Sequence, residues 1–135
     1  VSQTSREDIE SLVRIAAAAA AEKKATDIVA MFVGETLVVT DYFLIATGSN
    51  ERQVHAVADS IEDALREAGV KPRGREGERD LKWVLLDYGD FVIHVFQEAE
   101  RDFYRLEKLW SDAPVLKLPV AGAVTTGSTA AAGSR

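Results

Sequence analysis

Tyr42-Phe43-Leu44-Ile45-Ala46-Thr47, then Gly48-Ser49-Asn50, then Glu51-Arg52-Gln53-Val54: the fold is decided in this stretch. The first run is continuously apolar up to Thr47, as a buried strand requires. Gly48-Ser49-Asn50 interrupts it. Asn50 suits a helix N-cap, with Gln53 placed three residues on to bond back. Val54, Val57, Ala58, Ile61, Leu65 and Ala68 then recur at helical spacing, while Glu51, Asp59, Glu62 and Asp63 lie mainly off that stripe. Gly69 supplies a stop. A strand that turns directly into an amphipathic helix predicts an α/β protein.

Upstream, Arg6 to about Ala21 reads as a helix, with Ile9, Leu12, Val13 and Ala16 on one side and an Ala run that favours helix intrinsically. Asp27–Val33 is apolar without alternation from Ile28 onward, a pattern for a strand buried on both faces. Gly34-Glu35 is a turn, and Leu37–Val39 is a short apolar run of strand character. Downstream, Val70–Lys82 reads as a loop. A hairpin follows, with strands Trp83–Leu86 and Phe91–Phe96 around the turn Asp87-Tyr88-Gly89-Asp90. A last helix is expected over Glu98–Trp110, with Phe103, Leu106, Leu109 and Trp110 facing inward and Pro114 marking its end. The expected order is α-β-β-α-β-β-α. It describes a single α/β domain over residues 1–116, with a small mixed sheet flanked by helices. Residues 117–135, rich in Gly, Ala, Ser and Thr, are expected to form a disordered tail.

Composition narrows the chemistry. The chain has 135 residues, enough for one modest core, and 47% hydrophobic content, too high for a disordered protein. With no Cys, disulfides and thiolate metal sites are excluded, which fits a reducing compartment. The run Ile15–Ala21 lacks the basic start and greasier core of a signal peptide, and nothing reaches the length of a membrane span, so a cytoplasmic protein is expected. The net charge of −6 argues against wrapping nucleic acid. It suits a basic protein partner, or simply solubility, and composition does not choose between them.

Several candidate sites can be weighed by residue type. Gly48-Ser49-Asn50 precedes a helix and could cradle a phosphate on backbone N–H groups, but it has no Gly-rich loop with a Lys. A strand-to-helix turn needs a glycine and a cap for local reasons alone, and that reading is preferred. Metal-dependent nucleotidyl transfer needs two carboxylates one residue apart on a strand. Asp59 and Glu62 instead fall on the helix, and Asp87 and Asp90 flank a turn. His94 sits in an apolar strand with Val92 and Phe96 on its face, as a core histidine satisfied by one hydrogen bond would. Arg73, Arg75, Arg79 and Lys82 are interspersed with Glu76, Glu78 and Asp80, which reads as a solvated loop better than as an RNA contact. In the hairpin, Trp83, Leu85 and Asp87 share one face, and Val84, Leu86 and Tyr88 share the other. Trp83 either caps the core or anchors a protein partner, and the sequence leaves both open.

The segments Asp27-Ile28, Thr40-Asp41-Tyr42-Phe43, Thr47-Gly48-Ser49, Arg52-Gln53-Val54 and Ala58-Asp59 closely resemble the ribosomal silencing factor family (RsfS, also called Iojap). So do Glu76-Gly77, the run Trp83 to Asp90, His94-Val95-Phe96, and the run Arg101 to Trp110. The resemblance covers roughly Ile9–Ala113, and the ordered set is specific although no single motif is. The Ala-rich first helix and Arg52-Gln53-Val54 resemble actinobacterial members.

The family implies a nucleotidyltransferase-like fold without the catalytic carboxylates, no cofactor, no metal and no enzymatic activity. It implies binding to the large ribosomal subunit through ribosomal protein L-fourteen, steric exclusion of the small subunit, damped translation when nutrients are scarce, and a homodimer off the ribosome. Trp83 matches the family's contact Trp, and Leu85, Asp87 and Tyr88 lie in the same matched run. The alternative function is a nucleotide-binding or nucleotidyl-transfer enzyme using the Gly48-Ser49 turn.

Overall fold

The computed structural model describes residues 5–35 and 37–124. Helix α1 spans Arg6–Glu22, capped by Ser5, whose side chain accepts from the Asp8 amide. Its inward side is Ile9, Val13, Ala16, Ala17 and Ala20, all buried. Strands β1 (Thr26–Phe32) and β2 (Tyr42–Gly48) pair antiparallel. Helix α2 (Glu51–Glu67) follows, with Asn50 as its N-cap. Next come β3 (Gly74–Glu76), β4 (Trp83–Asp87) and β5 (Phe91–Gln97). Two short helices, α3 (Glu98–Tyr104) and α4 (Leu106–Leu109), lead to β6 (Val115–Leu116).

The strands form one mixed sheet in the order β3-β4-β5-β2-β1-β6. Only β2 and β5 run parallel. They therefore need a crossover, and α2 supplies it. β2 is interior and buried along its whole length, which explains why it reads as apolar without alternation. On one face, Val84, Leu86, Ile93, Val95, Leu44 and Ala30 pack with α1 and α2 into the larger core. On the other, Val29, Met31, Phe43, Ile45 and Phe96 form a smaller core, with Leu106 and Trp110 packed against it. No helix among the described residues is long and apolar enough to cross a membrane.

Several expectations need correction. Leu37–Val39 is not a strand: it is a bend between β1 and β2, and Val38 and Val39 are 99% and 81% exposed. β-prone residues cannot form a strand without a neighbour, and β1 already has β2 and β6 on its two sides. The stretch expected as a loop, residues 70–82, contains β3, a charged edge strand pairing with β4.

The last helix is broken at Arg105, whose backbone is left-handed at φ 48° and ψ 50°. Phe103 and Leu109, expected to face inward, are 79% and 70% exposed as a result, while Leu106 and Trp110 do pack inward. Of the stretch expected as a tail, residues 117–124 lie against the domain. The Ile28 amide donates to the Gly122 carbonyl at 2.9 Å, and the Val124 amide to the Ile28 carbonyl at 2.8 Å. Residues 125–135 lie outside the described residues.

Gly77 fixes the approach to β4. Its φ is +93°, and a Cβ there would run into the Trp83 carbonyl oxygen, with Val84 Cα only 3.1 Å away. Both obstacles are backbone, so neither can step aside cheaply. Gly77→Ala is expected to cost about 2 kcal/mol or more, from the positive φ and the forced shift together. Urea denaturation against the wild type would check it, and a midpoint within error of wild type would contradict this account.

Candidate functional site

The register of β4 on β5 decides which hairpin side chains meet. Trp83 lies opposite Phe96, Leu85 opposite His94, and Asp87 opposite Val92. All three therefore belong to the face with the smaller core, as alternation predicted. Trp83 is half-buried. Its ring centroid is 4.8 Å from Phe96, 4.8 Å from Tyr104 and 5.9 Å from His94. Its Nε1 donates to His94 Nδ1 at 3.1 Å. The two readings left open by the sequence are thus not exclusive: Trp83 caps the smaller core and still presents an edge outward.

Leu85 is half-buried beside it and is not part of the smaller core. Asp87 turns inward to its own hairpin, accepting from the Gly89 amide at 2.8 Å. Tyr88 lies on the opposite side. Its ring stacks on Phe91 at 4.9 Å, it packs on the larger core, and burial pushes its hydroxyl up to about 12. The structure therefore brings together Trp83, Leu85 and Asp87 but not Tyr88.

His94 explains why Trp83 stands where it does. The ring is buried between Phe43, 4.8 Å away, and the Trp83 indole. Accepting at Nδ1 requires the neutral ring, and burial holds its pKa down at about 4. Its Nε2 has no hydrogen-bond partner among the described residues.

Covering of this face is partial. α3 and α4 lie over β1, β2 and the end of β5, where Leu106 and Trp110 join the smaller core, whereas Leu85 on β4 is half-buried and not part of that core. Phe103 and Tyr104 overhang one border and enclose, with Trp83, Asp80, Lys82 and Glu100, a cleft of about 460 Å³. Val38 and Val39, in the bend between β1 and β2, are exposed, and the Asp41 amide that follows them donates to the Asp90 carbonyl in the hairpin turn at 2.9 Å. An exposed apolar band with Asp80, Asp87 and Glu100 along it and one Lys within it is suited to a protein partner carrying basic groups.

The sequence places Phe103 on the inner side and does not single out Tyr104, although a signal existed. Adjacent helical residues point about 100° apart, so two consecutive aromatics cannot both face a core. Arg101 was missed too. It is buried, with Nη1 donating to the Asp27 carbonyl at 2.6 Å and to Thr47 Oγ1 at 2.7 Å. A lone Arg among surface-type residues gives no sequence signal of burial.

The Gly48-Ser49-Asn50 turn is occupied by its own neighbours. The Ser49 amide and hydroxyl both donate to Gln53 Oε1, at 2.6 and 2.9 Å, and Asn50 Oδ1 accepts from the Gln53 amide. Gln53 Nε2 reaches back to the Lys23 and Lys24 carbonyls, joining α2 to the end of α1. The Ser49 and Gln53 amides are thus already bonded within the turn. Asp59 and Glu62 do not form a metal pair but converge with Glu78 on Arg75, at 2.9 Å for Asp59 and 2.7 Å for Glu62. Arg75 is therefore committed to carboxylates rather than free for RNA. Among the described residues, no group of three or more His, Asp or Glu is placed to hold a metal ion.

Comparison with known proteins gives a consistent result. The family model described as ribosomal silencing factor during starvation matches residues 6–134. The ribosomal silencing factor RsfS of Bacillus subtilis (strain 168) is 46% identical over 108 residues, which is 80% of this chain and 92% of that protein. A mouse protein named mitochondrial assembly of ribosomal large subunit protein 1 is 30% identical over 96 residues, covering 67% of this chain and 41% of the mouse protein. Among solved structures, a Chromobacterium violaceum protein superposes with a TM-score of 0.75 at 35% identity, covering 84% of this chain and 94% of that one.

Proposed function

The chain belongs to the ribosomal silencing factor family, and from that membership we propose that it represses translation by occupying the large ribosomal subunit. It binds through ribosomal protein L-fourteen, on the surface where the small subunit docks, and excludes the small subunit sterically. It acts in the cytoplasm when nutrients are limiting, needs no cofactor and catalyses nothing. Off the ribosome it rests as a homodimer that covers the same apolar face.

The observation that carries this reading is the half-covered sheet face. Trp83 and Leu85 provide an apolar anchor, held rigid from behind by His94 and Phe96. Rigid, half-buried aromatics are the side chains that dominate protein interfaces. Asp80, Asp87 and Glu100 give the face an acidic border, complementary to a basic ribosomal protein. The mouse relative's name, which refers to the large subunit, points to the same half of the ribosome.

The test is co-sedimentation with purified large subunits, followed by addition of small subunits. The protein is expected to pellet with the large subunit and to lower the yield of joined ribosomes. Folded protein that stays in the supernatant at micromolar concentration would overturn the proposal.

A further inference from the structure

Arg105, between α3 and α4, has φ 48° and ψ 50°. A side chain other than glycine is disfavoured there, so something must hold the break in place. The Arg101 guanidinium is at the right position to do so. Its Nη1 binds the Asp27 carbonyl on β1 and Thr47 Oγ1 on β2, and its Nε donates to Glu107 Oε2 on α4 at 3.2 Å. One buried side chain therefore joins two strands of the sheet to the helix beyond the break. On either side of the break an aromatic contact depends on its angle. Tyr104, just before it, lies against Trp83, and Trp110, after it, lies 5.0 Å from Phe43.

We propose that Arg101 and Glu107 are positioning residues: together they clasp the left-handed break at Arg105, and the docking face is assembled only while that clasp is closed. The inference rests on the reading of this face as the ribosome-binding surface. α3 and α4 have seven and four residues, too few to hold their shape unaided. Phe103 and Leu109 point outward and are mostly exposed, Phe103 meeting the neighbouring Tyr104 ring edge-on, so they add little that would hold the break. With the clasp open, Arg105 relaxes toward ordinary backbone, α4 swings, and Tyr104 leaves Trp83. A partner then meets a competent face on only a fraction of molecules, and apparent affinity falls by that fraction.

The decisive variant is Glu107→Ala, which removes the α4 arm and leaves Arg101 its two bonds to the sheet. In co-sedimentation with large subunits, its affinity is expected to drop about tenfold. NMR cross-peaks between the Trp83 and Tyr104 rings should weaken, while the urea midpoint of the sheet stays close to wild type. Adding Arg105→Gly should restore most of the affinity and the cross-peaks, because glycine adopts this backbone without strain. Among the described residues, the second change gives up a surface bond from Arg105 to the Asp102 carbonyl. A simple loss of packing would not be rescued there.

Full affinity in Glu107→Ala, or a loss that Arg105→Gly leaves untouched, overturns the clasp. If wild type itself fails to pellet, the ribosome reading falls, and the cross-peaks alone judge the clasp. Their loss and return across the two variants supports it, and unchanged cross-peaks refute it.

Discussion

Taking the protein from pH 7 to pH 4 is expected to remove about 3 kcal/mol of folding stability through His94 alone. The unfolded imidazole titrates near its ordinary value of 6.5, whereas burial holds the folded one at about 4. Between those values the unfolded chain binds the extra proton and the folded chain does not. Stability is therefore fully present above about 6.5, declines as pH falls, and stops declining near 4. His94→Gln offers Trp83 Nε1 another acceptor but cannot titrate. Urea denaturation of both proteins across this range should show the wild type losing about 3 kcal/mol more than the variant. Parallel pH profiles would mean that His94 is protonated without cost and that the buried, neutral ring is wrong. A protonated ring also cannot accept from the indole, so acid should loosen Trp83 before the domain unfolds.

Trp83→Ala is expected to weaken binding to the large subunit by about thirtyfold or more, the usual consequence of truncating an aromatic anchor. The same substitution removes the contacts with Phe96, Tyr104 and His94, at a cost of about 2–4 kcal/mol in stability. Binding must therefore be measured where the variant is still folded. Two neighbours separate anchoring from folding. Leu85→Ala, on the same face but less enclosed, should weaken binding with a smaller loss of stability. Tyr88→Phe should leave binding unchanged, because Tyr88 faces the opposite side, and its buried hydroxyl has no partner to lose among the described residues. If Tyr88→Phe weakens binding as much as Trp83→Ala does, the wrong face has been identified. The proposed homodimer gives a further comparison: Trp83→Ala that dimerises normally but no longer binds ribosomes would separate the two surfaces.

Local rules were enough for the elements whose signals lie within a few residues. Gly48 and Asn50 mark the β2–α2 junction, and Gly89 marks the β4–β5 turn at φ +83°. The division of Trp83, Leu85 and Asp87 from Val84 and Leu86 followed from alternation and held. What stayed hidden depends on distant partners. β3 and β6 are three and two residues long and exist only because β4 and β1 lie beside them. The break at Arg105 uses no glycine, so nothing in the helical pattern of Glu98–Trp110 announces it. Its support comes from Asp27 and Thr47, far away in the chain. Tyr88 was assigned to the docking surface by its neighbours in sequence, whereas period-two alternation had already placed it on the far side from Trp83.

The two edges of the sheet have a consequence for how the protein meets other molecules. Gly74-Arg75-Glu76 at one end is brief and charged, and Val115-Leu116 at the other is shorter still. Short edges of this kind offer little template for a foreign strand to add on, which guards a β-rich chain against open-ended stacking. Such a molecule can expose an apolar sheet face for recognition without becoming a seed for fibrils. Association through such a face closes after one partner, whereas association through backbone ladders need not close at all.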